Sequence, residues 1–269
     1  MAHPKIVSRS KWLAARKKLL AKEKKVMHQQ DAISAERRRL PMVAIDEPYV
    51  FETEGGKKAS LLDLFDGRRQ LLIYHFMFDP NDPPPGKTDP FSVGCPGCSF
   101  MADNMPHLSH LNARDTTLVL VSRAPQKKIK PFKKRMGWTI PWYSSFGSDF
   151  NYDFHVTTDE AVAPVEYNYK NLATLKREKL PFHIKGEQPG LSAFLCVDGK
   201  PFHTYSTYGR GLDQIITTNH LLDLTAYGRM QDWEDSPRGW PKPDSAKGLG
   251  VKHHDKYGDL TKGSCTCSS

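Results

Sequence analysis

The chain has 269 residues, 38% of them hydrophobic and 26% charged, which suits a soluble protein with one sizeable core and excludes disorder throughout. Residues 1–40 hold twelve Lys/Arg against three acids and so carry the whole net charge of +9, leaving a neutral body for which nucleic acid is not an expected partner. No apolar run approaches the ~20 residues of a membrane span, and the N-terminus lacks the apolar centre of a secretory signal, so a cytoplasmic protein is expected.

In chain order, residues 9–39 read as one long helix with Ser10 as N-cap and Pro41 as its stop. Trp12, Leu19, Leu20, Met27 and Ile33 form an irregular apolar stripe among Lys and Arg. A helix so thinly apolar must lie on something, whether the domain, a second copy or an anionic surface. Tyr49–Glu52, a turn signal at Gly55-Gly56 and Lys57–Leu61 read as a β-rich stretch. A short helix over Leu61–Phe65 is closed by Gly67. Leu71–Phe78 has the composition of a central strand buried on both faces. The proline-rich stretch 79–94 reads as a loop.

A helical pattern follows from Phe100 to Leu111, then a strand at Thr117–Ser122, a basic surface helix over 126–136 ending at Gly137, and a strand at Thr139–Ser144. This alternation predicts an α/β domain with a partly parallel sheet. A helical piece is expected around Asn171–Lys179. Leu191–Val197 and Pro201–Tyr205 form a hairpin about Asp198-Gly199. A last helix is expected over Leu212–Thr225, and an irregular tail from Gly228. The organisation is then a basic helical arm (1–40), an α/β domain (41–227) and an extended tail (228–269).

Five cysteines make an odd number, which does not suit a disulfide framework. Cys95-Pro96-Gly97-Cys98 stands after a buried strand and before a helix. The unpaired N–H groups and the dipole of a helix N-terminus favour a negative sulfur there, and such settings lower a thiol pKa from ~8.5 to roughly 3.5–7.5. Cys95 is the expected nucleophile and Cys98 the resolving thiol. Pro96 suits the first helical position. Proline in the first middle position, as in glutaredoxin-type motifs, points to a potential nearer ~−200 to −230 mV than about −270 mV. A zinc site would need four ligands, and the only other close pair, Cys265 and Cys267, is far along the chain and spaced by one residue.

The runs Tyr74–Phe78, Gly94–Asp103, Ser122–Pro125, Arg135–Trp138, Pro141–Ser145, Asp149–Phe154 and Tyr205–Gly211 together resemble the thioredoxin-like family catalogued as domain of unknown function 899, labelled predicted dithiol-disulfide oxidoreductases. The resemblance covers roughly residues 8–235. It implies a thioredoxin-like fold with a peroxiredoxin-like N-terminal β-hairpin, and no particular substrate. Thioredoxin folds place a cis-proline beside the cysteine pair, before a hairpin; Pro189 is the candidate.

Other residues are candidates for the site. Asp103, on the same predicted helix, is a candidate proton acceptor or loop anchor, or a plain surface group. Arg123 follows a buried strand at the end where α/β sites form; it would stabilise the Cys95 thiolate, bind an acidic substrate, or make a structural ion pair. Trp138 and Trp142 would wall a groove or pack in the core; Arg210, Tyr205 and Tyr208 stand in the same position. Cys196 reads as a buried structural thiol and His75 as a core histidine. Cys265 and Cys267 would pass electrons to the first pair, bind a soft metal with His253 and His254, or carry incidental thiols.

The function expected is a thiol-disulfide oxidoreductase without a cofactor, acting on a disulfide-bearing protein or small molecule and drawing on an external electron donor. A homodimer through the N-terminal helix would fit. One alternative is a peroxiredoxin-like peroxidase with Cys95 as the peroxidatic residue, since Ser92 stands three residues before it, although Thr88 replaces the usual proline and Pro90 is displaced. Another is a non-catalytic metal-binding or interaction module.

Overall fold

The computed structural model describes residues 3–81, 94–241 and 250–257. The chain divides into two compact units, Met1–Val43 with Thr218–Leu249, and Ala44–Thr217 with Gly250–Ser269.

In the first unit, α1 runs from Arg9 to Arg37 and none of its residues is buried. Its N-cap is Ser8 rather than Ser10: the Ser8 hydroxyl accepts from the Lys11 N–H at 3.4 Å, two residues earlier than expected. Trp12, Leu19 and Met27 are about half exposed, at 46%, 51% and 55%. Where the chain passes from the second unit back to the first, the expected helix over 212–225 is two pieces, a 3-10 stretch Gly209–Ile215 in the second unit and an α-helix Thr217–Asp223. Gly209 takes a positive φ of 52°, and a side chain at Gly211 would begin 2.0 Å from Thr207 Oγ1. The chain therefore doubles back closely on the strand it has left, too tightly for a regular helix to start there.

The second unit is built on one mixed sheet. In chain order its strands are β1 (Val43–Ala44, straddling the unit boundary), β2 (Val50–Glu52), β3 (Lys58–Ser60), β4 (Gln70–His75), β5 (Thr116–Ser122) and β6 (Trp142–Ser144). Four short strands, β7 to β10 (Thr157–Thr158, Glu166–Tyr167, Lys170–Asn171, Gly186–Glu187), form two small ladders, and β11 (Gly190–Val197) and β12 (Lys200–Tyr208) complete the main sheet. The helices of this unit are α2 (Pro96–Asp103), α3 (Ser109–Asn112), α4 (Gln126–Arg135), α5 (Phe150–Asp153) and α6 (Leu172–Arg177).

The strand order is β1-β12-β11-β4-β5-β6-β2-β3. β4 pairs in parallel with β5 and antiparallel with β11, which pairs antiparallel with β12. A strand–helix–strand unit followed by an antiparallel hairpin in this order is the thioredoxin-like arrangement, and the β2–β3 hairpin beside β6 is the expected N-terminal addition. Period-two alternation sorts the central strands onto two cores. Leu71, Ile73, Val119 and Val121 face one, with Phe150, Phe154 and Tyr167. Tyr74 and Leu120 face the other, with Phe76, Phe132, Trp142 and Cys98.

Two expected elements are shorter than their patterns. The strand read as Leu71–Phe78 ends at His75, although Phe76 and Phe78 still bond to the β5 side through Phe76 N–H to Val121 O (2.9 Å) and Ala124 N–H to Phe78 O (2.8 Å). The helix read through Leu111 stops at Asp103 and resumes as α3, because Pro106 can neither donate a helical hydrogen bond nor sit within the turn. Cys196 is half-buried rather than buried, at the margin of the first core.

Candidate functional site

The start of α2 lies beside the residues that follow β4, where Cys95 N–H donates to Met77 O at 3.2 Å. Cys95 is the N-cap of α2 with extended backbone (φ −78°, ψ 123°), and Pro96 takes the first helical position. The Cys95 sulfur accepts the backbone N–H of Cys98 at 3.4 Å. A sulfur in that position occupies the place of an N-cap oxygen and meets one of the helix's otherwise unpaired donors. Ser99 Oγ donates to the Cys95 carbonyl at 2.9 Å and ties the first turn together. Gly94 has a φ of +68°, and a side chain there would start 2.8 Å from the Phe132 ring, so only glycine lets the chain approach α4 before turning into the helix.

The two cysteines differ in setting. Cys95 is half-buried; Cys98 is 2% exposed, and both are thiols. The Cys98 sulfur accepts the Met77 N–H at 3.4 Å. Burial pushes the Cys98 thiol well up, and the neighbouring Cys95 sulfur adds to this by accepting its proton and by its charge. The Tyr74 hydroxyl and the Met77 N–H work in the opposite direction. Tyr74 is fully buried, with its hydroxyl 2.8 Å from Met101 Sδ, and burial together with Cys98 raises its own value strongly. Tyr167, raised chiefly by burial, also feels Cys98. Its hydroxyl donates to the Pro189 carbonyl at 2.9 Å and accepts the Gly209 N–H at 3.0 Å. Pro189, half-buried, thus lies one phenol away from the sulfurs' surroundings.

The remaining candidates take separate places. Asp103 accepts the Trp138 indole N–H at 2.7 Å and bonds His254 at 2.8 Å, at the far end of α2 from Cys95. Trp138 packs on Phe76, Phe132 and Trp142, with ring centroids 5.7–5.9 Å apart. Trp142 is buried, its indole N–H on Ser122 Oγ at 3.0 Å, and belongs to the core rather than to an open groove wall. Arg123 pairs with Glu187 at 2.9 Å and lies 5.0 Å over the Tyr152 ring. Tyr208 is buried, donates to Phe154 O at 3.0 Å, and is pushed up to about 12 by burial.

His253 and His254 point to different partners, Arg135 and Asp103, and among the described residues no group of three or more His, Cys, Asp or Glu is placed to hold a metal ion. Cys265 and Cys267 lie outside the described residues, as do Thr88, Pro90 and Ser92, on which the peroxidase alternative turns. Among the described residues no helix is long and apolar enough to cross a membrane. A cavity of about 550 Å³ opens elsewhere, between Tyr49, Asp149, Tyr152 and Asp153, and neither cysteine lines it.

Sequence reasoning missed three groups. Tyr74 reads simply as one more residue of an apolar strand. Tyr167 sits in a stretch without legible periodicity. Glu187 is 5% exposed on its side chain, bonded by Arg123, by Thr157 at 2.9 Å and by Asn151 at 3.5 Å, and burial raises its carboxyl to about 7 against the pull of Arg123. The one available signal for it was the charge of Arg123 at the end of a buried strand, which asks for a partner.

The comparison with curated proteins finds no match. Similar solved structures include PrxQ of Xylella fastidiosa (13% identity, TM-score 0.39, 68% of this chain and 94% of that one). Peroxidoxin BcpB of Mycobacterium tuberculosis is at 13% identity and TM-score 0.40, covering 66% of this chain and 94% of that one. The mitochondrial 2-cys peroxiredoxin of Plasmodium falciparum is at 14% and 0.38, covering 68% and 95%. At that distance the likeness says nothing of the reaction. The model of the family described as bacterial protein of unknown function (DUF899) matches residues 1–257, and the chain belongs to that family.

Proposed function

We propose that the chain is a thiol-disulfide oxidoreductase with Cys95 as nucleophile and Cys98 as resolving thiol. The observation that carries this reading is the asymmetry of the pair: Cys95 half-buried at a helix N-cap, its sulfur accepting a backbone N–H, and Cys98 buried behind it with its proton held. The more accessible sulfur is the one a substrate can reach and the helix terminus favours as thiolate.

In the first step the Cys95 thiolate attacks one sulfur of a substrate disulfide. That bond breaks, its electrons leave on the second substrate sulfur, and a mixed disulfide joins Cys95 to the substrate. Cys98 then loses its proton and attacks Cys95 Sγ, forming the Cys95–Cys98 bond and expelling the substrate's remaining thiolate. Tyr74 and the Met77 N–H, by favouring negative sulfur at Cys98, ease this second step. An external thiol donor returns two electrons and two protons to the site. Substrates are disulfide-bearing proteins or small molecules; a homodimer through α1 and a cytoplasmic location accord with the same reading.

Reduction of insulin disulfides driven by dithiothreitol tests it. Cys95→Ser is expected to remove the activity above background, and Cys98→Ser to accumulate the mixed disulfide on Cys95. Equal turnover by wild type and Cys95→Ser would refute the reading. Peroxide consumption far above that of free cysteine, with no disulfide reduction, would move the assignment to the peroxidase alternative.

A further inference from the structure

The phenol of Tyr74 has a single proton to donate, and with Tyr74 0% exposed that proton must find an acceptor inside the protein. Two sulfurs compete for it. Cys98 and Met101 stand three residues apart on α2, a spacing that puts both on one face of the helix. That face meets the core in which Cys98 and Ala102 are buried with Tyr74, Phe76 and Leu120, and half-buried Met101 packs against the same cluster. The hydroxyl donates to Met101 Sδ at 2.8 Å. It also acts on the Cys98 sulfur by hydrogen bonding, beside the Met77 N–H that reaches this sulfur at 3.4 Å. The neighbouring phenol of Tyr167 is engaged elsewhere, donating to Pro189 O and accepting from Gly209 N–H.

A thiol and a thioether are weak acceptors, whereas a thiolate is a strong one. We propose that Met101 is a positioning residue for the resolving step: its thioether holds the Tyr74 hydroxyl while Cys98 is a thiol and yields it to Cys98 as the thiolate forms. This rests on the dithiol reading of Cys95 and Cys98. The Tyr74–Met101 bond stabilises the state in which Cys98 keeps its proton, and it is given up when the hydroxyl turns to the thiolate. Met101 thus sets how readily Cys98 ionises, and with it the lifetime of the mixed disulfide, and has no part in the attack by Cys95. When Cys98 attacks Cys95 Sγ, the Cys95–substrate bond breaks and its electrons leave on the substrate sulfur, which ends with the proton that Cys98 lost. The charge has then left Cys98, and the hydroxyl returns to Met101.

Two substitutions of similar size pull in opposite directions. Met101→Leu removes the thioether and leaves the hydroxyl to Cys98 in both states. Met101→Gln supplies an amide oxygen, a stronger acceptor than the thioether, which holds the hydroxyl back.

The experiment follows single turnover of a symmetric nitroaryl disulfide by the reduced full chain carrying Cys196→Ser, Cys265→Ser and Cys267→Ser. Attack by Cys95 releases the first nitroaryl thiolate, and resolution by Cys98 releases the second. Met101→Leu is expected to leave the first release unchanged, to speed the second about fivefold at pH 7, and to move its pH profile down by about 0.7 unit. Met101→Gln should slow the second release about fivefold. In a Tyr74→Phe background neither substitution should move it more than about twofold, an outcome that altered packing alone would not give. A second release that Met101→Leu fails to speed, that both substitutions move the same way, or that responds equally in the Tyr74→Phe background would overturn the proposal. Release of one equivalent only by the chain with Tyr74 and Met101 intact refutes the dithiol reading itself, whereas two equivalents with an unresponsive second step refute the role of Met101 alone.

Discussion

Tyr74 and His75 are neighbours on β4, both buried and both polar, and they face opposite cores. His75 ends a line of hydrogen bonds: Nε2 to Ser192 Oγ, Ser192 Oγ to Ser206 Oγ and Ser206 Oγ to His203 Nε2, each at 2.8 Å. Its ring stacks on Phe154 at 6.0 Å, and burial lowers its value to about 3, so it stays neutral. Tyr74 instead reaches sulfur, at Met101 and Cys98. On one face His75 is thus held by other buried polar groups, while on the other Tyr74 is directed at sulfur. The difference separates groups that hold the sheet from groups that set a reaction.

The largest effects should separate the two faces outright. Cys95→Ser is expected to lower disulfide reduction at least 100-fold with an unchanged melting temperature. His75→Ala should cost about 3 kcal/mol through the cavity and the stranded serine, while activity per folded molecule stays within about twofold. Calorimetry beside the insulin assay checks both; a stable His75 variant without activity would erase the distinction. The folded value of His75 lies below its usual one, so its contribution is present above pH ~6.5 and fades as pH falls toward about 3. The deficit of His75→Ala should shrink over that window.

Arg123→Met should cost about 1 kcal/mol at pH 8, because it removes the partner of the ionised, buried Glu187 carboxylate. The folded value of Glu187 is raised to about 7, so the stabilisation from its protonated form is complete below ~4.5 and lost as pH rises through about 7. Denaturant unfolding should therefore show the Arg123 variant nearly normal at pH 5 and weakest at pH 8. A deficit equal at both would contradict the pairing. Tyr74→Phe acts on a single step. Attack by Cys95 should be unchanged and release of the mixed disulfide about tenfold slower, the worth of one hydrogen bond to a charged sulfur; stopped-flow with a chromogenic disulfide resolves the two. The smallest effect expected is about 1 kcal/mol for Ser192→Ala, which leaves His75 Nε2 without its partner.

Much of the frame was legible because its signals are local. Alternation over Leu71–His75 and Thr117–Ser122, the Asp198-Gly199 turn and the position of Cys95-Pro96-Gly97-Cys98 after a strand each lie within a few residues. The legible part of the site was the spacing of two sulfurs. What escaped depends on side chains meeting across long stretches of chain. Glu187 finds Arg123 across 64 positions, and His254 finds Asp103 across 151. Ser8 displaced Ser10 as cap because either hydroxyl satisfies the same local rule. Pro106 was visible in the sequence, but the apolar residues on both sides of it suggested one helix where the chain makes two.

The most direct test of the account is the order in which the thiols of the reduced full chain react with iodoacetamide between pH 6 and 9, read at each cysteine by mass spectrometry. Modification of Cys95 first, with Cys98 protected across the neutral range and gaining reactivity only as pH rises, is the predicted result. Cys98 reacting as fast as Cys95, or Cys95 reacting no faster than Cys196, would contradict it.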